Sequence, residues 1–224
     1  MELKRQSVRI LEFLPRQETT DLLLHCLSKT EDHAFRFVMI SALNRLHDKN
    51  SNIKVNRFLI KSEIVKEIHI FMQIQTLQQF YTKHPESTSE YLEIAFKALL
   101  DESLERIFRF LDLLYPYAPF KMIYGHLTWN YSDANVRTQA LELLHNTIEP
   151  SIMLRLQRIF EERPSPVFNE NAVRAVLIAF LKSEDRWFSF VSYFVMRELA
   201  LSQKWPEFEN WERQSQTHRF FETS

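Results

Sequence analysis

Hydrophobic positions recur at spacings of three and four along nearly the whole chain, the pattern of amphipathic helices. Prolines and small polar clusters cut this pattern into about ten or eleven helical segments. The first covers about 4–13 and stops before Pro15; the second, about 17–28, carries Leu22, Leu23, Leu24 and Leu27. The third begins after Thr30 and sets Phe35, Val38, Met39, Ala42, Leu43 and Leu46 on one face. A polar turn and a short apolar stretch around Val55 to Ile60 precede a helix of about 62–83, for which Ser62 is the expected N-cap. The segment of about 88–115 is apolar over much of its circumference, which predicts contacts on more than one side. Six segments follow, at about 118–128, 133–147, 150–163, 169–182, 184–202 and 206–213, the fourth capped by Asn169. Residues 214–224 read as a tail.

The pattern predicts an all-α chain with one helical-repeat domain over 1–213. Composition narrows what such a chain can do. Among 224 residues there is one glycine, where average usage would give roughly sixteen. Phosphate-cradling loops and dinucleotide fingerprints need several. That glycine, Gly125, falls inside a predicted helix, which suggests a close helix–helix approach. The 28 basic and 29 acidic residues nearly cancel, unlike a domain built to grip a phosphate backbone, so no nucleic-acid partner is expected. A single cysteine, Cys26, excludes an internal disulfide. The charged start from Met1 to Arg9 lacks the apolar core of a secretory signal. The longest apolar run, Ala172 to Leu181, is far short of a span and carries Arg174, so no membrane insertion of this segment is expected.

Three segments align without gaps on an acidic residue: Asp32-His-Ala-Phe-Arg36, Asp133-Ala-Asn-Val-Arg137 and Asp185-Arg-Trp-Phe-Ser189. Each follows a turn, and each turn follows an apolar helix. An apolar residue stands three positions on, at Phe35, Val136 and Phe188, and another at eleven, at Leu43, Leu144 and Met196. This resembles the HEAT repeat, in which a helix, an Asp-bearing turn and a second helix opening with Val-Arg form one unit. Two further stretches, Phe108 to Pro116 and Arg137 to Ile148, together with Ser183-Glu-Asp-Arg-Trp187, resemble the HEAT-repeat region attached to bacterial ATP/ADP-translocase-like transporters of the major facilitator type. The third repeat departs from the pattern, with Ser189 in place of Arg.

The resemblance implies a right-handed, armadillo-like α-solenoid of antiparallel helix pairs, because one pair cannot bury its own apolar face. It makes Asp32, Arg36, Asp133, Arg137 and Asp185 structural parts of the repeat turns. It also implies a non-catalytic, cytoplasmic interaction scaffold at the inner face of a membrane, whose partner is another protein or its own membrane domain. The expected interaction surface is a concave face with Asn44, His145 and Arg197, each late in a second helix. The stripe Trp205, Phe208, Trp211 reads as a C-terminal cap of the stack.

The residues themselves suggest no catalytic centre and no cofactor. The eight histidines fall at no metal-ligand spacing, so no metal is expected. His25 and Cys26 are adjacent in sequence and therefore point about 100° apart on a helix. The carboxylates Asp101, Glu102 and Glu105 lie near Arg106 and Arg109, and Glu207, Glu209 and Glu212 near Arg213, as on solvated helix faces. One enzymatic alternative is a HEAT-like DNA glycosylase, with Trp129, Asp133, Asp185 and Trp187 as nominal groove residues; the neutral charge opposes it. A free-standing soluble adaptor is the other alternative.

Overall fold

The structure is a computed structural model that describes residues 2–84, 89–128, 133–160, 169–206 and 208. Its regular elements are all α-helical, with no strand among the described residues. In chain order they are α1 (Glu2–Leu11), α2 (Gln17–Ser28), α3 (His33–Lys49), α4 (Arg57–Thr82), α5 (Glu90–Leu114), α6 (Phe120–Thr128), α7 (Ala134–Thr147), α8 (Pro150–Phe160), α9 (Glu170–Leu181), α10 (Arg186–Glu198) and the short α11 (Leu201–Lys204). No described helix is long and apolar enough to cross a membrane.

Side-chain caps set several of the helix starts, by accepting bonds from backbone N–H groups that the helix itself leaves free. Asp32 accepts from Phe35 N, Asp133 from Asn135 N, and Asn169 from Asn171 N. Asp185 accepts from both Trp187 N and Phe188 N. Helix α4 starts earlier than the pattern suggested. Asn56 Oδ1 accepts from Leu59 N, so the stretch after Val55 already belongs to the helix, and Ser62 is an exposed interior residue rather than a cap. The expected helix of 184–202 is interrupted: Ala200 adopts the left-handed conformation, φ 48° and ψ 38°, ending α10 and opening α11.

The described chain forms two compact units. The first comprises 1–74 and 98–164 and has a continuous apolar core. Leu23, Leu27, Met39, Leu43, Ile60, Ile64, Ile107, Leu111, Ile123 and Leu144 are among its buried residues. Arg57 Nη1 donates to Leu114 O at 2.8 Å and its guanidinium lies over the Tyr115 ring, while Lys61 pairs with Glu149 at 2.6 Å. These contacts hold the start of α4 to the end of α5 and to α8.

The second unit comprises 75–97 and 165–224. Helices α9 and α10 pack together, with Phe180 and Phe188 stacked at 4.4 Å between ring centres. Tyr81 Oη donates to Glu198 Oε1 at 2.8 Å, and Ser89 N donates to both of those oxygens at 3.0 Å. Burial first, and then the bonded Glu198 carboxylate, push the Tyr81 phenol above its ordinary range. Trp205 and Phe208, two residues of the expected capping stripe, are buried, and Trp205 stacks near Phe80. Trp211, the predicted terminal helix apart from Pro206 and Phe208, and the tail fall outside the described residues.

Candidate functional site

The acidic turns share one hydrogen-bonding device. Four residues after the capping aspartate, a side chain reaches back to a carbonyl at the end of the preceding helix. Arg36 Nη1 donates to Leu27 O at 3.0 Å, Arg137 Nη1 to Leu127 O at 2.9 Å, and Ser189 Oγ to Leu181 O at 3.4 Å. A helix end leaves its last carbonyls without intrahelical donors, and these side chains satisfy one of them. Serine in the third turn therefore keeps the device with a shorter and weaker donor. The helices so joined, α2 with α3, α6 with α7 and α9 with α10, are packed neighbours.

Arg36 does more than close a turn. Its Nη2 also pairs with Glu63 Oε2 and Glu67 Oε1, each at 2.8 Å, and its Nε donates to Glu67 at 3.0 Å. The second Glu67 oxygen accepts from Arg106 Nε at 3.0 Å. All four side chains are buried, so α3, α4 and α5 meet around two arginines and two glutamates. Burial alone would raise the Glu67 carboxyl, but Arg106 and Arg36, with a smaller contribution from His33, outweigh it and hold the group below the ordinary carboxylate range. Burial likewise opposes the Arg36 charge and is outweighed by Glu67 and Glu63. Arg106 is thus no part of a solvated face; the i, i+4 contact with Glu102 is 3.9 Å, beyond hydrogen-bond reach. Arg109 does pair with Glu105, at 2.6 Å. This quartet is structural in character: no side of it is open to a substrate.

An open face lies on α10. Phe188, Val191, Ser192, Val195 and Met196 turn inward and are buried. The opposite side carries Trp187, 57% exposed, and Phe190, 40% exposed, followed by half-buried Tyr193 and Phe194. Their rings touch in series, with centres 5.8 Å apart for Trp187–Phe190, 4.4 Å for Phe190–Phe194 and 5.8 Å for Tyr193–Phe194. Exposed Arg186 and Arg197 stand at the two ends, about 16 Å apart at helical rise. The helix's carboxylate, Glu198, is engaged by Tyr81 and Ser89. An exposed aromatic row with arginines at its ends has the composition of a protein interface.

Of the residues expected to form an interaction surface, Arg197 borders this face and His145 is exposed on α7. Asn44 is buried instead: its Nδ2 donates to Arg109 O at 3.1 Å and to Asp112 Oδ2 at 3.2 Å. A polar residue late in an amphipathic helix was expected on a concave interaction face, but α5 covers it. Gly125 departs from its expectation too, since a Cβ built there would meet nothing within 4 Å. No close helix approach requires that glycine. The aromatic face itself escaped the sequence reading. Both sides of α10 are apolar, so periodicity could not say which was buried, although Trp187, Phe190, Phe194 and Arg197 at i, i+3, i+7 and i+10 mark the outer one.

Of the nominal glycosylase groups, Asp185 and Asp133 serve as N-caps, and Trp129 lies outside the described residues. No cluster of three metal-ligating side chains occurs among the described residues. No family model, curated protein or solved structure matches the chain.

Proposed function

We propose that the chain is a non-catalytic helical-repeat scaffold for protein–protein interaction, with HEAT-type helix pairs in a right-handed solenoid. We further propose that it serves as the cytoplasmic domain of a nucleotide-transporter-like membrane protein. The repeat reading is supported by the thrice-used turn, in which an aspartate caps the second helix and the residue four positions on binds the end of the first. The transporter assignment rests on the sequence resemblance. The observation that carries the interaction role is the outward row Trp187–Phe190–Phe194, because water-exposed aromatic area is stabilised by being covered. Arg186 and Arg197 select the partner: an apolar strip flanked by carboxylates, as on an acidic amphipathic helix.

The test uses a fluorescently labelled acidic amphipathic peptide and its lysine-substituted counterpart, followed by the fluorescence anisotropy of the label. Saturable binding of the acidic peptide is expected, weakened by salt and abolished in the Trp187→Ala/Phe190→Ala variant. Equal binding of the basic peptide, or none of the acidic one, would overturn the reading. Base excision from duplex DNA at low salt would support the glycosylase alternative instead.

A further inference from the structure

Helix α1 is apolar on two opposite sides, and only one of them is covered. Val8 is buried in the core of the first unit, Leu11 packs against that core, and α3 is the neighbouring helix. Leu3 and Ile10 are seven residues apart and so share a side of the helix, opposite Val8. They are 79% and 66% exposed. The chain then turns through Phe13, 77% exposed, and Leu14, also exposed. Phe13 N and Leu14 N donate to Ile10 O and Leu11 O, which holds this turn against the end of the helix. Ser7, between Leu3 and Ile10, donates its hydroxyl back to Leu3 O at 2.9 Å, so it brings no free donor to the strip.

The flanks of the strip are basic. At about 100° per residue, Lys4 lies to one side of it and Arg9 to the other, and Arg16 follows the turn. All three are exposed, and none is paired among the described residues. Over residues 2–16 four cations stand against two carboxylates, of which Glu12 is held by Arg45. Lys49 of α3 lies 5.1 Å from the centre of the Phe13 ring and donates to Glu12 O at 2.9 Å, adding a positive charge at that end. The next exposed carboxylates along the chain, Glu18 and Asp21, belong to α2.

We propose that this edge of the chain adsorbs to an anionic lipid surface, with α1 lying in the plane of the headgroups. Leu3, Ile10, Phe13 and Leu14 enter the acyl boundary. The stems of Lys4, Arg9 and Arg16 follow them, while their charged heads reach the lipid phosphates and carboxylates. A helix held in this way lies on the bilayer and does not cross it. A second copy of the chain suits the strip poorly, because two facing strips would bring the same cations together. Cations on both flanks and at the turn match a surface that is negative on every side. The proposal goes beyond the protein-interaction reading and uses none of its residues.

The experiment sediments the intact chain with sucrose-loaded vesicles of phosphatidylcholine, alone or mixed in equal parts with phosphatidylserine. Binding to the anionic vesicles only is expected, weakened by salt. Leu3→Gln/Ile10→Gln/Phe13→Gln should lower the partition coefficient by about tenfold or more. Lys4→Gln/Arg9→Gln should lower it by roughly thirtyfold, about fivefold for each cation removed. These side chains are exposed, so both variants should unfold near the wild-type temperature. Neither variant touches α10, so binding of the acidic peptide there should be unchanged, and the two readings fail separately. Equal sedimentation with neutral vesicles, none with anionic ones, or undiminished binding by both folded variants would overturn the proposal. Self-association through the strip without vesicle binding would also overturn it and assign the strip to a second copy.

Discussion

Glu67 offers one carboxylate oxygen to Arg36 on α3 and the other to Arg106 on α5, at 2.8 and 3.0 Å, with all three side chains buried. Taking such groups from water is costly, and their mutual attraction offsets that only while every partner is present. Removing one partner strands the others. Glu67→Gln should therefore lower the unfolding free energy by about 3–5 kcal/mol in urea denaturation, because Arg106 then has no carboxylate within hydrogen-bond distance. The paired change Glu67→Met/Arg106→Met should recover most of the loss. If the double variant were as unstable as the single one, stranded charge would not be the cause.

The same carboxylate predicts an acid response. A group whose folded pKa is depressed contributes stability above its unfolded pKa, and that contribution is lost as pH falls through the folded value. For Glu67 the window opens near its ordinary value of 4.5 and extends below it. The wild-type chain should lose stability steeply from about pH 5 downward, whereas Glu67→Gln should show a shallower slope over that range. Parallel curves would refute a depressed Glu67.

The three capping aspartates should not be equivalent. Asp185 is buried and accepts from two backbone N–H groups, whereas Asp133 is exposed and accepts from one. Asp185→Ala should cost about 1–2 kcal/mol and Asp133→Ala about 0.5–1 kcal/mol, read from thermal unfolding. Asn at either position should retain most of the stability, since its carbonyl can cap equally well. The ranking fails if Asp133→Ala proves the more damaging change.

Glycine and alanine stand in each other's places. Gly125 lies in helix α6, where a Cβ has free space, while Ala200 holds the left-handed conformation that glycine adopts without strain. Gly125→Ala should stabilise the chain by about 0.5–1 kcal/mol. Ala200→Gly should gain up to about 1 kcal/mol, the relief of left-handed strain exceeding the extra chain entropy. A loss of stability in Gly125→Ala would restore the close helix contact that the fold does not contain.

How much was legible in the sequence depended on the range of each interaction. Caps act within three residues, so Asp32, Asp133, Asn169 and Asp185 could be placed from their neighbours alone. Arg36 and Arg137 were assigned to the repeat turns, but the carbonyls they bind, nine and ten positions back, were not named, and Ser189 was set down as a departure although it makes the same kind of bond. Glu67 was not legible, since its partners stand 31 and 39 positions away and the local rule pairs charges across one helical turn. Asn44 failed for the same reason, its acceptors being 65 and 68 positions on. Helix α10 was expected only as part of a longer helix of 184–202 that Ala200 interrupts, and its two apolar sides concealed which one faced water.

The buried quartet also constrains how this sequence can change over generations. Positions 36, 63, 67 and 106 form one electrostatic unit, so a chain that loses Arg106 keeps its fold only if the Glu67 charge is lost with it. Descendants of this fold should therefore vary at these positions in opposite-charge sets, losing Glu67 and Arg106 together or all four charges together. The spacings of 27, 4 and 39 residues between arginine, glutamate, glutamate and arginine are a signature by which diverged relatives could be recognised.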